Sequence, residues 1–358
     1  MHTLGNIRKR IYEGYIMINK EKPQFVFIDL LGSTAHSNFL TSLYLSCHVL
    51  VSQVCATKNA IDWHRVHPEC SKKHLYLGRG SFLKYSSWFY LLAIFISRRK
   101  DIFITGSTPI WHLIISIFAS PDRVNILVHS EFNRIYTREG IGSKFLHYIF
   151  LLYRLRNFKV AVMSNVMRTA IIKQRLYPEY LLHVVTHPLP DIDPSFHFSS
   201  DGVLNLLGFL RPQKLIGAED FFSELKKNDQ TKIRVFGKYS NFEEISKLQP
   251  YCDDFEVQEE DYSSASEREF LSRHKCYGII FCPNEKYNLL ASGSVVDAVR
   301  LGCYCLMPHS SDMALELIGP LVINDLSERL GDPKNIIEDL IRKRKEENLL
   351  EIMNFFNF

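Results

Sequence analysis

Apolar positions along the chain come in short, nearly unbroken runs, and the stretches between them show helical spacing. A short apolar run reads as a strand buried on both faces. Strands of that kind alternating with helices read as parallel β–α–β units. Gln24–Leu30 (QFVFIDL), after Pro23, is the first predicted strand. The glycine-containing loop Leu31 to Ser37 follows it, then a helix through Leu45. His48–Cys55 and the shorter Lys73–Leu77 are further strands, and a helix over Phe82–Arg98 leads to the strand Asp101–Gly106. Pro109–Phe118 is the next helix, and the strand Asn125–His129 delivers His129, Ser130 and Glu131 to its C-terminal edge. A helix over Lys144–Leu155, a strand over Lys159–Met163 and a helix through Arg175, capped by Ser164 and Asn165, come next. Val184–Thr186 and His187-Pro188-Leu189-Pro190 close this half.

Asp191–Gly202 (DIDPSFHFSSDG) is polar, turn-rich and aperiodic, and reads as a linker. The alternation then restarts. Val203–Leu207 is a strand ending at Gly208, Phe209 to Lys214 is a loop, and Gly217–Lys226 is a helix. Lys232–Phe236 is a strand ending at Gly237, before a short helix Glu243–Leu248 and a short strand Phe255–Val257. A Ser-x-x-Glu box, Ser266 to Glu269, opens a helix to Ser272. From Tyr277 to Pro308 the chain reads strand, polar loop, small-residue turn (Ala291 to Ser294), helix (Val295–Leu301) stopped by Gly302, and strand. A turn of that kind at a helix N-terminus presents unpaired N–H groups and a positive dipole end, which suits a phosphate. Ile336–Phe358 is a charged amphipathic helix with an aromatic end.

The expected organisation is therefore an extension over residues 1–22, an α/β domain over 23–190, a linker over 191–202, a second α/β domain over 203–335 and a C-terminal helix over 336–358. The basic segment before Pro23 lacks the apolar core of a signal peptide, and Met17 is a second candidate start within it. A chain of 358 residues fits two domains with real cores.

Composition narrows the class. The chain is 46% hydrophobic and 23% charged, which is ordinary for a globular protein. Its net charge of +4 is too small to imply nucleic acid as a partner. Its 8 cysteines include no CxxC pair and lie in apolar segments, as expected of reduced, buried thiols in a cytoplasmic protein. No apolar window reaches the roughly 18–20 residues of a transmembrane helix. Trp88–Ile96 and Phe145–Leu152 are the longest apolar runs, and basic residues follow both closely. They read either as buried helices or as a helix lying on an anionic membrane surface.

Two successive α/β halves, the second opened by a strand, a glycine and a basic loop, resemble the GT-B glycosyltransferases. The resemblance implies two Rossmann-like doubly wound domains facing a cleft. Retaining members of glycosyltransferase family 4 carry a donor-sugar motif of the type Glu-x7-Glu-Ala. Ser292-Gly293-Ser294-Val295-Val296-Asp297-Ala298 stands in its place here, with Asp297 as the second acid and Leu289 where the first would fall. The family's Gly-Arg-Leu…Lys segment is matched by Gly208, Leu210 and Lys214, with Phe209 at the arginine position and Arg211 two residues on.

What the resemblance implies is a nucleotide-diphosphate sugar as co-substrate and no protein-bound cofactor or metal. Arg211 and Lys214, with Lys238 after Gly237, would meet the diphosphate. Ser292, Gly293 and Ser294 would offer it N–H and hydroxyl groups, and Asp297 would take the ribose hydroxyls. In the first domain, Gly32 would let an acceptor approach the backbone, with His36 nearby. His129, at a strand C-terminus, would meet the transferring sugar, and His129 or Glu131 would be the base of an inverting reaction. Asp191-Ile192-Asp193 is an Asp-x-Asp, but in the linker, so no metal is expected there. The expected function is sugar transfer to a glycan or lipid-linked acceptor in surface polysaccharide synthesis, in the cytoplasm and at the inner face of an anionic membrane. Leu289 and Phe209 instead fit an inactive GT-B-shaped binding or scaffold protein, and a sugar-nucleotide epimerase shares the same outline.

Overall fold

The computed structural model describes residues 24–30, 37–56, 61, 74–76, 78–79, 82–83, 85–96, 101–137, 140–212, 215–227, 231–260, 264–282, 293–309, 311–326 and 330–357. Within them the chain runs β1 (Phe25–Asp29), α1 (Ser37–Cys47), β2 (Val51–Ala56), β3 (His74–Tyr76), β4 (Gly78–Arg79), β5 (Phe82–Leu83), α2 (Tyr85–Ile96), β6 (Asp101–Gly106) and α3 (Pro109–Phe118). It continues with β7 (Val124–Leu127), α4 (Glu131–Thr137), α5 (Gly140–Leu155), β8 (Lys159–Val162), α6 (Asn165–Lys173) and β9 (Leu182–Val184). The second half holds β10 (Phe198–Leu210), α7 (Ala218–Lys226), β11 (Ile233–Tyr239), α8 (Phe242–Ser246), β12 (Asp254–Gln258) and α9 (Ser264–Ser272). It ends with β13 (Cys276–Ile280), α10 (Gly293–Arg300), β14 (Tyr304–Leu306), α11 (Asp312–Ile318), β15 (Val322–Ile323) and α12 (Lys334–Phe356).

The strands form two parallel sheets, ordered β3-β2-β1-β6-β7-β8-β9 and β12-β11-β10-β13-β14-β15. In each, the strand order reverses beside the first strand of the half, so each half is a doubly wound α/β unit. The apolar runs read as strands occupy these sheets because every residue of β1, β7 and β13 is buried. Fully buried strands of this kind need helices on both faces.

Several boundaries differ from the expectation. Phe82 and Leu83 pair antiparallel with Gly78 and Arg79, so the next helix starts at Tyr85. β10 begins at Phe198, inside the stretch read as linker, because Phe198 already pairs with Cys276 of β13. Phe209 and Leu210 are strand rather than loop, since β10 and β11 stay in register through Phe209↔Lys238 and Leu210↔Tyr239. α9 starts at Ser264, which leaves Ser266 inside the helix and displaces the predicted capping box. Ser164 does cap α6, accepting from Met167 N at 3.0 Å. Gly302 stops α10 with φ +66.

The halves are tied at two places. Glu316 of α11 accepts from Asn165 N (2.7 Å), Asn165 Nδ2 (2.9 Å) and Val166 N (3.0 Å), so an acid of the second half occupies the N-terminus of a helix in the first. The long helix α12 returns from the second half to the first sheet. Phe356 stacks on Phe25 (4.7 Å, 7°) and Phe355 meets Phe103 edge-on. Glu351 accepts from Thr186 N and Oγ1, both at 2.7 Å. Arg344, buried, donates to the carbonyls of His187 (2.9 Å), Leu317 (3.3 Å) and Glu316 (3.4 Å), and so joins three chain segments. One hydrophobic cluster accordingly runs from the first sheet into one face of the second, and a separate cluster fills the second sheet's other face.

Candidate functional site

Ligands of open α/β sheets sit beyond the strand C-termini, where the strand order reverses. In the second sheet that point lies between β10 and β13. On the other side of β10, Gly208 and Gly237 face each other across the β10–β11 ladder, with φ +94 and +156. A Cβ on Gly237 would lie 2.0 Å from the Gly208 carbonyl oxygen. Only glycine allows that approach, and it brings the residues just beyond into one cluster. The Arg211 guanidinium lies over the Phe209 ring at 4.4 Å, and Lys238 Nζ stands 5.8 Å from the same ring. The aromatic at position 209 thus gathers two cations at the sheet edge.

Across the switch point, α10 starts at Gly293. Gly293 and Ser294, expected in a turn, form its first turn, which carries no acid. Their N–H groups belong to the helix start that lacks intrahelical partners. Lys214 and Ser292 lie outside the described residues.

Asp297 is held elsewhere. Its Oδ1 accepts from Arg300 Nε at 3.1 Å, while Arg300 Nη2 reaches Glu267 Oε1 at 3.1 Å. The Phe196 ring lies 5.9 Å from the guanidinium, and Arg300's carbonyl accepts from Asp193 N at 2.8 Å. Burial pushes the Glu267 carboxyl up, Arg300 draws it down, and the charge of Asp297 pushes it up again. The cluster joins α10 to α9 and to the segment before β10, so any ribose at Asp297 would share the carboxylate with Arg300. The Asp-x-Asp is likewise committed, Asp191 to Lys345 (2.8 Å) and Asp193 to Ser195. Among the described residues no three His, Cys, Asp or Glu side chains are grouped to hold a metal ion.

In the first sheet the order reverses between β1 and β6. Gly32 and His36 lie outside the described residues. His129 follows β7 and donates Nε2–H to the Thr105 carbonyl of β6 at 2.6 Å. Its ring meets Phe39 edge-on at 4.5 Å. Burial holds the imidazole below its usual pKa, against the nearby Glu131 charge and the Thr105 carbonyl.

Glu131 does not fit a free base. It opens α4 and folds back so that Oε2 accepts from His129 N (2.7 Å) and Ser130 N (2.9 Å). Its Oε1 faces His112 Nε2 at 3.4 Å. His112 Nδ1 meets Tyr153 Oη at 3.0 Å, and that hydroxyl donates to the His112 carbonyl at 3.1 Å. Both His112 nitrogens are thus engaged, one by Glu131 and one by Tyr153. Burial alone would raise the Glu131 carboxyl, but its bond to His112, the charges of both histidines and the backbone N–H groups hold it down to about 2. With both oxygens engaged, the carboxylate holds the backbone turn at His129 and Ser130.

Sequence reading missed two participants here. His112 lies within the predicted helix Pro109–Phe118 and was not singled out; its signal was a histidine on the buried face beside Trp111 and Ile115. Asp29 closes β1 at the switch point and is 2% exposed. It lies inside the predicted strand Gln24–Leu30, and the signal was a carboxylate at a buried strand end.

No protein-family model matches the chain, and neither does any curated protein. Among solved structures it is similar to HepE of Anabaena in complex with UDP and glucose, with TM-score 0.52, 12% identity, and 93% of this chain and 94% of that one covered. The UDP complex of the same protein gives TM-score 0.51, 13% identity, and coverage of 93% and 95%. S. aureus TarM matches at TM-score 0.46 and 15% identity, over 76% of this chain. The match spans 58% of TarM's length. At such identities the likeness is one of fold. The fold is α/β, two Rossmann-like domains facing a cleft in the GT-B arrangement.

Proposed function

We propose that the protein is a glycosyltransferase that moves a hexose from a nucleotide-diphosphate sugar to a glycan or lipid-linked acceptor of a surface polysaccharide. The observation that supports this reading is the Gly208–Gly237 approach, which gathers Phe209, Arg211 and Lys238 at the C-terminal ends of β10 and β11. HepE, of the same fold, was crystallised with UDP and glucose.

In this reading Arg211, Lys214 and Lys238 neutralise the diphosphate, and the first N–H groups of α10 and Ser292 complete its cradle. The guanidinium of Arg211 returns over position 209, where the family motif has arginine, and so supplies the charge that Phe209 lacks. Asp297 binds the ribose while paired with Arg300. His129 meets the transferring sugar, and the loop with Gly32 and His36 receives the acceptor. The bond between the anomeric carbon and the phosphate oxygen breaks as the acceptor oxygen attaches, and the acceptor proton passes to the leaving phosphate. The engagement of Glu131 favours this retaining course over an inverting one based on Glu131. The reaction would take place in the cytoplasm, at the inner face of the membrane.

The test is a thermal-shift screen of UDP-, GDP- and dTDP-sugars. A donor at a hundredfold its Kd stabilises by ~2.7 kcal/mol. A shift with one base, followed by sugar transfer to an acceptor extract, supports the proposal. Absence of a shift with every donor supports the scaffold reading, which Leu289 favours. Epimerised sugar nucleotide formed without acceptor supports the epimerase reading.

A further inference from the structure

α5 is apolar on both of its sides. Leu146, Ile149, Phe150 and Tyr153 face the core. Ile141, Phe145, Tyr148, Leu152 and Leu155, at alternating spacings of four and three, make a second stripe on the solvent side. Ile141 is 88% exposed, Tyr148 66% and Leu155 69%, so this stripe takes no part in the core. A helix that is hydrophobic all round is ordinarily covered on all sides. The stripe is widened by α3, which runs alongside in the same direction. His112 is level with Tyr153, and Arg156 donates to the Ser116, Ile117 and Ala119 carbonyls at the end of α3. Ile110, Ile117 and Phe118 of α3 are also exposed.

The charges on the helices of this face have one sign. Lys144, His147 and Arg154 form an exposed row one position N-terminal to the apolar stripe. Neither α5, α3 nor the adjoining α2 contains an aspartate or glutamate. Apolar side chains bordered by cations, on helices without an acid, complement a surface that is apolar beneath and anionic above.

We infer that the solvent face of α5, with the exposed edge of α3, docks the protein on an anionic lipid surface. The face does not cross the bilayer, because among the described residues no helix is long and apolar enough to span it. The link to a lipid-borne acceptor rests on the function proposed above; the docking surface itself does not.

The experiment is flotation of the full chain with vesicles of phosphatidylcholine alone or with added phosphatidylglycerol, at low and high salt. The protein should rise with the anionic vesicles at low salt and much less with the neutral ones. Lys144→Ala with Arg154→Ala should weaken binding by roughly 25-fold, about fivefold per cation. Tyr148→Glu with Leu152→Glu, at exposed positions, should abolish flotation while leaving the elution volume and melting curve of the wild type. A wild-type protein left at the bottom with both vesicle types overturns the proposal. So does a wild-type dimer that the glutamate variant splits, which would assign the face to a second copy of this chain. The vesicles carry neither donor nor acceptor. Flotation without any donor-induced thermal shift keeps the docking surface and removes the proposed enzyme, and the reverse outcome removes only the surface.

Discussion

Replacing Glu131 by glutamine tests whether a buried carboxylate, rather than merely a side chain of that shape, holds the His129 turn. The amide keeps an oxygen for His129 N and Ser130 N, loses the charge and turns an NH2 group towards His112 in place of Oε1. The carboxyl stands at about 2 instead of an ordinary 4.5. At about 1.4 kcal/mol per tenfold change in proton affinity, that fall corresponds to about 3 kcal/mol of stability at neutral pH. The residue is 8% exposed, so solvent screening takes little from this figure. The sign follows from linkage. The folded pKa lies below the unfolded one, so the stabilisation is complete above about pH 5 and is lost as pH falls towards 2, with about half remaining near pH 3. Urea unfolding of wild type and Glu131→Gln should give curves separated by up to about 3 kcal/mol at pH 7. The separation should close as the pH is lowered. A gap of the same size at pH 7 and pH 3 would show that the carboxylate charge is not what holds the turn.

Other substitutions probe the remaining joints. Gly237→Ala drives a methyl against the Gly208 carbonyl oxygen and should cost about 2–4 kcal/mol, read as a lower Tm together with loss of any UDP-induced shift; an unchanged Tm would mean that the strand pair is looser than described. Arg344→Ala strands the carbonyls of His187, Leu317 and Glu316 and should lower stability by about 3 kcal/mol or more, with a broader urea transition as the halves uncouple. A loss below about 0.5 kcal/mol would place the coupling elsewhere. Arg211→Ala, at an exposed position, should leave the melting temperature in place and weaken UDP binding about tenfold or more by calorimetry. Equal affinities in the two proteins would move the diphosphate away from the Phe209 cluster.

The strands and their parallel arrangement were legible in the chain because they depend on local pattern. A strand buried on both faces must be apolar at nearly every position, so β1, β6, β7 and β13 announce themselves. Gly302 and Ser164 were legible for a similar reason, since a left-handed stop and a helix cap are set by the chain within a turn of themselves. Short elements with mixed composition, such as α4 and α11, were not legible. The partners of their acids lie far along the chain, His112 for Glu131 and α6 for Glu316.

Charged groups were the least predictable, because a carboxylate's role depends on what stands within hydrogen-bond reach of it. Glu131 reads as a free acid beside a histidine in one dimension, and only the fold folds it back onto its own turn below His112. Asp297 keeps its expected place in α10, yet Arg300 of the same helix binds it, and α9 brings Glu267 to the same guanidinium. The sequence alone determined that two doubly wound α/β halves would form, because apolar run length and spacing act locally. The tertiary structure decided that Gly208 meets Gly237, that Arg211 lies over Phe209 and that α5 keeps an apolar face in solvent. Each of these depends on register and on exposure, which exist only once distant segments are side by side.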